Sequence, residues 1–258
     1  MNPTYDKDFY QYIRKGSYES ARRVAPLVMD LFQPRSVLDV GCGSGTWLSV
    51  FRRDHGVDDI LGVDGDYVDT SVLEIPPACF RPADISKPVH LNRKFDLVIS
   101  LEVAEHISAG QAPVLVENLT RHGDVILFSA AIPGQGGVHH VNEQFPEYWA
   151  ALFQANGFCA VDVLREKIWN EDRIEWWYRQ NILLFLKNDI LEKYPGLQES
   201  IGRNSQYILT RIHPVLFFRL SYYRRMFRDF NLFRFIFSLV VKECRMGVKR
   251  LYSGMLKK

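Results

Sequence analysis

Two groups of histidines lie where the sequence could position a general base. His106 ends the segment Glu-Val-Ala-Glu-His, which directly follows the predicted strand Phe95–Leu101. His139 and His140 come after the next predicted strand, Val125–Ala130. Open α/β sheets build their sites at the carboxyl ends of such strands. Because histidine titrates near neutral pH, an imidazole at either position could remove the proton of a substrate hydroxyl group.

A glycine-rich segment, Pro133–Gly137, precedes the second group and is typical of a mobile loop that covers a substrate. We predict substrate contacts for three polar residues that follow it, His139, Asn142 and Glu143. Asn142 also fits a second role, as the N-cap of the next helix. His139, His140 and Glu143 are metal-ligand types, but adjacent histidines often point in opposite directions, so no metal is predicted.

The aromatic segment Trp169–Asn181 offers flat rings beside polar groups, a combination that suits a sugar or another planar ligand. Trp176 and Tyr178 are therefore candidate substrate contacts. The competing interpretation is that these rings belong to the core, as clusters of aromatic side chains more often do.

The loop after the first predicted strand has glycine at every second position, Gly41, Gly43 and Gly45. Glycine lets the backbone approach a ligand where a β-carbon would collide. The spacing differs from the GxGxxG of dinucleotide-binding folds, and Asp39 before it would repel a pyrophosphate. Asp39 instead suits a ligand that carries an amino group and a sulfonium. Asp64 ends the next strand and could accept hydrogen bonds from two ribose hydroxyls.

Residues 37–46, 61–64, 82–85 and 95–107 resemble the successive motifs of class I S-adenosylmethionine-dependent methyltransferases. The resemblance implies S-adenosylmethionine as cofactor, with the three glycines along its methionine part and Asp64 on its ribose. It also implies that Asp84 bonds the adenine amino group while Ile85 packs on the ring. The predicted cofactor site consists of Asp39, Gly41, Gly43, Gly45, Asp64, Asp84, Ile85 and Leu101.

The histidine segments carry a narrower resemblance. Glu-x-x-Glu-His at 102–106 resembles a segment of small-molecule O-methyltransferases in which the histidine faces the transferred methyl group. His-x-Asn at 140–142 resembles a stretch that several methyltransferases place over the acceptor, which favours His140 over His139. His106 and His140 are thus the predicted catalytic residues.

Short apolar runs alternate with helix-length segments between residues 36 and 187, which predicts βαβ units. The expected fold is α/β: a Rossmann-like, seven-stranded, mostly parallel sheet with helices on both faces. Helices are predicted at Ser20–Phe32 and after Gly45, Ala109 and Pro146. No helix is evident between Leu164 and Asn181, which favours an antiparallel edge there. The predicted strands are Ser36–Val40, Ile60–Asp64, Cys79–Ala83, Phe95–Leu101, Val125–Ala130, Cys159–Leu164 and Asn181–Leu186.

Charge divides the chain into a predicted methyltransferase domain, residues 1–187, and a helical C-terminal extension, residues 188–258. The extension has 14 lysines and arginines against 5 acidic residues, and aromatic side chains recur in it at helical spacing. We predict that it contacts an anionic membrane peripherally; packing on the domain and homodimerisation are the alternatives. The chain lacks an apolar run long enough to span a membrane and a signal-like N-terminus, which predicts a cytoplasmic protein, on the inner membrane face if the extension binds lipid.

The expected function is S-adenosylmethionine-dependent O-methylation of a sugar or glycan-type acceptor, with a histidine general base. The loop and the aromatic segment resemble methyltransferases of bacterial polysaccharide or nucleotide-sugar pathways. A phenolic or quinone-precursor acceptor is the main alternative. Nucleic acid is disfavoured because Leu101-Glu102-Val103 replaces the Asn/Asp-Pro-Pro-aromatic segment of base N-methylation. A catalytically silent binding module also stays open.

Overall fold

A single seven-stranded sheet organises the chain. The computed structural model describes residues 7–197 and 209–222, with backbone alone for residues 7–15. The predicted Rossmann-like architecture is confirmed, and each predicted strand is found with its ends shifted by a few residues at most. The strands are β1 (Ser36–Val40), β2 (Asp59–Asp64), β3 (Phe80–Pro82), β4 (Leu97–Leu101), β5 (Val125–Ser129), β6 (Phe158–Val161) and β7 (Leu183–Lys187).

The strand order across the sheet is β3-β2-β1-β4-β5-β7-β6. The first five strands in this order are parallel, and β7 runs antiparallel to both β5 and β6. The expected antiparallel pairing is therefore present, with β6 rather than β7 at the edge. The chain order reverses between β1 and β4, and such a switch point opens a crevice at the carboxyl ends of the strands.

Helices cover both faces of the sheet. One face carries α1 and α2, whose apolar side chains share a core with β1, β4 and β7, and the other carries α3 and α4. The expectation of no helix between β6 and β7 is wrong, because α5 and α6 lie there, and α1 is longer than predicted. The helices are α1 (Lys7–Phe32), α2 (Thr46–His55), α3 (Ala112–His122), α4 (Pro146–Ala155), α5 (Arg165–Ile168) and α6 (Trp176–Asn181).

Buried polar side chains fix the segment between β6 and β7. Arg165 is fully buried, and its guanidinium donates to both carboxylate oxygens of Asp162 at 2.9 and 2.6 Å. It also donates to the backbone oxygen of Gln180 at 3.1 Å. This network holds the end of α6 in place because it satisfies an otherwise costly buried charge.

The chain divides into two compact units between His213 and Pro214. Residues 209–213 belong to the first unit, where Thr210 donates to Glu147 and the His213 backbone N–H donates to Gln180. In the second unit, residues 214–222 are helical and expose Phe217, Phe218 and Tyr222. No helix among the described residues is long and apolar enough to cross a membrane. Residues 188–197 of the predicted extension belong to the first unit, and residues 198–208 and 223–258 lie outside the described residues. The separate status of the extension stays a prediction.

Candidate active site

A cavity of about 950 Å³ opens at the carboxyl ends of β1, β2 and β4, where the strand order reverses. This is the size range of small-molecule sites. Four of the predicted cofactor residues and one predicted catalytic residue line it. They are Gly41, Asp64, Asp84, Ile85 and His106, and Tyr67, Glu102 and Val103 also contribute to the wall.

Asp64 presents a carboxylate that is fixed from three sides. One oxygen accepts the Gly43 N–H at 2.7 Å; the other accepts the Gly65 N–H at 2.7 Å and the Tyr67 hydroxyl at 2.6 Å. Burial and then the bond to Asp64 raise the pKa of Tyr67, which keeps this donor protonated. A carboxylate has about four acceptor positions, so a diol could take the fourth and the one that Tyr67 occupies.

Gly41 shows why this loop needs glycine. Its φ is +86°, and a β-carbon on it would lie 2.5 Å from a methyl group of Val103. The loop after β1 therefore packs directly against the segment after β4, with no space for a side chain. A β-carbon on Gly43 would meet no atom within 4 Å, which leaves open space above this part of the loop.

Four other predicted cofactor residues do not line the cavity: Asp39, Gly43, Gly45 and Leu101. Asp39 is buried within β1, and burial, followed by the negative charge of Asp64, raises its pKa well above the usual range. A β-carbon on Gly45 would collide with Ile75. Val103, two residues beyond Leu101, takes the place in the wall that was expected for Leu101.

Asp84 and Ile85 form the far wall of the cavity. The Asp84 carboxylate is largely exposed and accepts bonds from the Ser86 hydroxyl at 2.6 Å and from Lys87 at 2.9 Å. These bonds lower its pKa to about 2, so the carboxylate is available as an acceptor at neutral pH. Ile85 is buried beside it and supplies an apolar surface of the kind on which a flat ring packs.

Glu105 is the most unusual carboxylate of the site. It is fully buried, and neither of its carboxylate oxygens has a hydrogen-bond partner among the described residues. Burial, followed by the charge of Glu102, raises its pKa well above the usual range. Its backbone oxygen accepts the N–H groups of Val141 and Asn142, at 2.9 and 3.0 Å. The glycine-rich loop is therefore tied to the turn that carries Glu105.

The two predicted catalytic histidines lie together. The His106 and His140 rings meet edge to face with centroids 4.9 Å apart. His140 Nδ1 lies 2.9 Å from Glu143 Oε1, which favours the tautomer with a proton on Nδ1, and its Nε2 lies 3.9 Å from Glu105. His106 Nδ1 lies 3.3 Å from the backbone oxygen of His139, and partial desolvation of the ring, followed by the neighbouring His140, lowers the pKa of His106. The lowered pKa favours the neutral form of His106, and the contact of His140 Nδ1 with Glu143 leaves Nε2 as the ring nitrogen of His140 without that partner.

Glu143 organises the glycine-rich loop. Besides bonding His140, its carboxylate accepts the N–H groups of Gly134 and Gly136, at 2.8 and 2.7 Å. A β-carbon on Gly137 would come within 2.2 Å of His140 Nε2, so this ring position requires glycine there. The contacts of Glu143 are thus with the loop and His140, whereas a substrate contact was predicted.

The other loop residues with predicted substrate contacts take different positions. His139 is exposed with a φ of +59°, and its backbone rather than its ring faces His106. Asn142 is buried, and its amide nitrogen has no hydrogen-bond partner among the described residues. Helix α4 begins at Pro146 with Phe145 as N-cap, so the alternative of an Asn142 cap is wrong.

Glu102 was not predicted as a site residue, yet it lines the cavity next to His106. Its carboxylate accepts the side-chain amides of Gln135 at 2.7 Å and Asn181 at 3.1 Å. Its φ of +56° is rare for a residue with a side chain and marks local strain of the kind found at functional sites. The only sequence signal was its place in Glu-x-x-Glu-His.

The structure does not bring Trp176 or Tyr178 to the cavity. Both are buried; the Tyr178 hydroxyl lies 3.2 Å from the Ser17 hydroxyl, and its ring packs edge-on against Trp47. The core interpretation of these aromatic residues therefore describes them better than the predicted contact with substrate.

A family model described as a methyltransferase domain matches residues 10–181, two thirds of the chain. The chain belongs to this methyltransferase family. The match spans α1 to the end of α6 and so contains the whole cavity. The methyltransferase is an enzyme that uses S-adenosylmethionine as cofactor. The loop at Gly41 fits the methionine part of that molecule, and the fixed Asp64 fits its ribose diol. The wall formed by Asp84 and Ile85 fits its flat adenine ring.

Solved structures resemble the methyltransferase in fold at low sequence identity. The sugar N-methyltransferase KedS8 from Streptoalloteichus sp. has a TM-score of 0.55 at 16% identity, covering 72% of this chain and 97% of its own. The amino pentose methyltransferase CalS10 from Micromonospora echinaspora has a TM-score of 0.53 at 15% identity, covering 73% and 99%. DesVI from Streptomyces venezuelae has a TM-score of 0.51 at 18% identity, covering 69% and 95%. No curated protein matches the sequence.

Proposed function

We propose that this methyltransferase transfers a methyl group to a hydroxyl group of a sugar or glycan-type acceptor. The observation that carries the proposal is the pair of histidines, His106 and His140, whose rings meet beside the cofactor cavity, with His106 in its wall. A hydroxyl group is a weak nucleophile until it loses its proton. A site for hydroxyl methylation therefore needs a proton acceptor near the cofactor.

The chain's own residues provide alignment and proton removal. S-adenosylmethionine, when bound, supplies a methyl group on a sulfonium sulfur, which keeps the bonding electron pair as the new acceptor–methyl bond forms. The walls of the cavity restrict how an acceptor can approach, and such alignment lowers the barrier by several kcal/mol. The hydroxyl proton passes to the free nitrogen of His106 or His140. Glu143 then stabilises the charge that His140 would gain.

Polar groups around the histidines support a sugar as the acceptor class. Glu102, Gln135 and Asn181 form a connected set of donors and acceptors, and the unpartnered amide nitrogen of Asn142 adds a donor. Sugars present hydroxyl groups on several sides and need such sets for orientation. The printed names of KedS8 and CalS10 also point to sugar substrates. Polysaccharide or nucleotide-sugar biosynthesis is the corresponding pathway class.

A second candidate is N-methylation of an amino sugar. Glu102, Glu105 and Glu143 surround the histidines, and no described lysine or arginine lies within ion-pair distance of them. An ammonium group would be attracted to this acidic region before it loses its proton. The names of the two sugar methyltransferases above agree with this candidate as well.

We further propose that the C-terminal extension holds the enzyme on the cytoplasmic face of a membrane. Its support is the charge of the segment from Asn188 to Lys258 and the exposed aromatic side chains of residues 214–222. A membrane position suits an acceptor that is part of a lipid-linked glycan. Homodimerisation through the same segment is the alternative.

Mass spectrometry of reactions with a panel of acceptors tests the proposed function. The panel contains nucleotide sugars, nucleotide amino sugars and simple phenols, each with S-adenosylmethionine and the full-length enzyme. A gain of one methyl group on a sugar oxygen supports the proposal. Gain on a sugar nitrogen supports the second candidate, and gain on the phenols alone would reject both.

An Asp64→Ala variant is the matched control for that panel, because its weaker cofactor binding should lower the yield of every product at limiting S-adenosylmethionine. A product whose yield is the same in this variant comes from a contaminating enzyme. If no acceptor is methylated although the wild-type protein binds cofactor, the catalytically silent alternative gains support.

A further inference from the structure

We propose that Glu105, His106 and His140 bind a divalent transition-metal cation beside the cofactor cavity. Each residue offers one ligand atom, and these three atoms lie within 4.8 Å of one another. The three residues come from two separate segments, the turn after β4 and the loop after β5, that meet only in the folded chain. The prediction of no metal from the sequence concerned a different group of residues, His139, His140 and Glu143.

Glu105 is the observation that points to a ligand. A fully buried carboxylate normally has hydrogen bonds or an opposite charge, because an unpartnered one is costly. Neither oxygen of Glu105 has a hydrogen bond of normal geometry among the described residues; only the backbone N–H groups of Glu105 and Ala131 favour its charged form, and its neighbours Glu102 and Glu143 are also acidic. The ring of His140, 3.9 Å away, is the basic group closest to it in this part of the chain. A bound cation would satisfy both oxygens.

The histidines are arranged as metal ligands usually are. A ligating histidine commonly donates its second ring N–H to a carboxylate or a backbone oxygen, which fixes its tautomer. Glu143 provides that partner for His140 Nδ1, and the backbone oxygen of His139 provides it for His106 Nδ1. The remaining nitrogen of each ring carries the lone pair that a metal requires.

The ligand set determines the class of cation. Two imidazoles with one carboxylate suit manganese, iron, cobalt or zinc better than magnesium or calcium, which prefer oxygen ligands. Bonds of about 2.1 Å place ligand atoms about 3 to 4.2 Å apart, so the three side chains must close slightly on binding. His106 is exposed, and its ring can make that adjustment. Three protein ligands leave coordination positions open to a substrate.

The chemical role of this cation rests on the proposed function. His106 lines the cavity, so the open positions of the cation would face the acceptor. A hydroxyl oxygen bound to the cation has a lower pKa and loses its proton to solvent water. The two histidines then act as ligands, and the proton-accepting role assigned to them above passes to water. Methyl transfer to the resulting alkoxide proceeds as before.

Manganese binding to the full-length protein tests the site without any acceptor. The protein is first treated with a chelator, and Mn²⁺ is then titrated while the signal of free Mn²⁺ is followed by electron paramagnetic resonance. We expect one site per chain. Glu105→Gln and His140→Ala should each weaken binding at least tenfold, and Glu143→Gln should weaken it 10- to 100-fold because it orients His140. Glu117→Gln and His90→Ala are matched controls on exposed residues and should bind as the wild type does.

Cofactor binding by each variant, measured by calorimetry, shows that it has folded. Absence of Mn²⁺ binding by a wild-type protein that binds cofactor would overturn the proposal, and so would equal binding by Glu105→Gln. Tight Mn²⁺ binding without methylation of any acceptor would support the metal site and count against the proposed function. If methylation persists at full rate in excess chelator, the cation has no role in the reaction, and a histidine remains the proton acceptor.

Discussion

Asp64 and Tyr67 give a quantitative prediction about cofactor affinity. The Asp64 carboxylate is held by the N–H groups of Gly43 and Gly65, and Tyr67 occupies a position that a ribose hydroxyl would take. Two ribose hydrogen bonds to a carboxylate contribute about 3–6 kcal/mol together. Displacing the Tyr67 hydroxyl costs about 1 kcal/mol, because the residue as a whole is 81% exposed, only its hydroxyl end is desolvated beside Asp64, and water replaces the lost bond.

The net contribution of Asp64 is therefore about 2–5 kcal/mol, and each 1.4 kcal/mol corresponds to a tenfold change. We expect Asp64→Ala to weaken binding of S-adenosylmethionine at least tenfold. Tyr67→Phe removes the competing donor and should tighten binding about two- to fivefold, the equivalent of roughly 0.4–1 kcal/mol.

Isothermal titration calorimetry with S-adenosylhomocysteine measures both changes without turnover. Tyr148→Phe, on α4, is the matched control and should leave the affinity unchanged. Unchanged affinity in a folded Asp64→Ala protein would refute the placement of the ribose. Weaker binding in Tyr67→Phe would show that the hydroxyl stays in place and contacts the cofactor, contrary to the displacement argued here.

Three further predictions concern turnover, stability and location. Replacing His106 or His140 with alanine should reduce turnover about 10²–10⁴-fold with little change in cofactor affinity; near-wild-type turnover in both variants would show that the hydroxyl is activated elsewhere. Arg165→Ala should lower the free energy of unfolding by about 2–3 kcal/mol in urea denaturation, because it removes the buried partner of Asp162 and leaves that carboxylate only the partly exposed Arg211. The exposed Arg173→Ala is the control and should change the free energy of unfolding far less, and equal losses would contradict the argument. The full-length protein should float with anionic liposomes, and high salt or truncation after His213 should abolish flotation. This cut retains the contacts of Thr210. Failure of the full-length protein to float would favour dimerisation.

The sequence predicts best what is local in the chain. The glycines after β1 and the carboxylate that ends β2 could be read from spacing, because a strand, a tight loop and a helix follow each other within ten residues. The same holds for the strands, whose apolar runs reflect burial on both sides. His106 and His140 were found because each follows a strand whose end faces the crevice.

The supports of the site were not predictable from the sequence. Asn181 bonds Glu102 across 79 positions of sequence, and no local pattern marks that contact. Burial of Glu105 without a partner is likewise a property of tertiary packing, since its neighbours in sequence would allow an exposed turn. Tyr178 shows the opposite error, because the aromatic and polar composition of its segment suits a ligand-binding site. Only the contact with Trp47 shows that Tyr178 is a core residue.

The backbone oxygen of Glu105 has a consequence for how this enzyme could acquire another acceptor. It receives two N–H groups from the loop after β5, so this attachment of the loop to the turn after β4 depends on main-chain atoms. The exposed position 141 could then accept any residue except proline without loss of this attachment, whereas a change at the buried Asn142 must also fit its surroundings. A library that varies side chains at Val138, Val141 and Asn142 would retain the anchor. One that changes loop length between Gly137 and Asn142 would lose it, together with the position of His140.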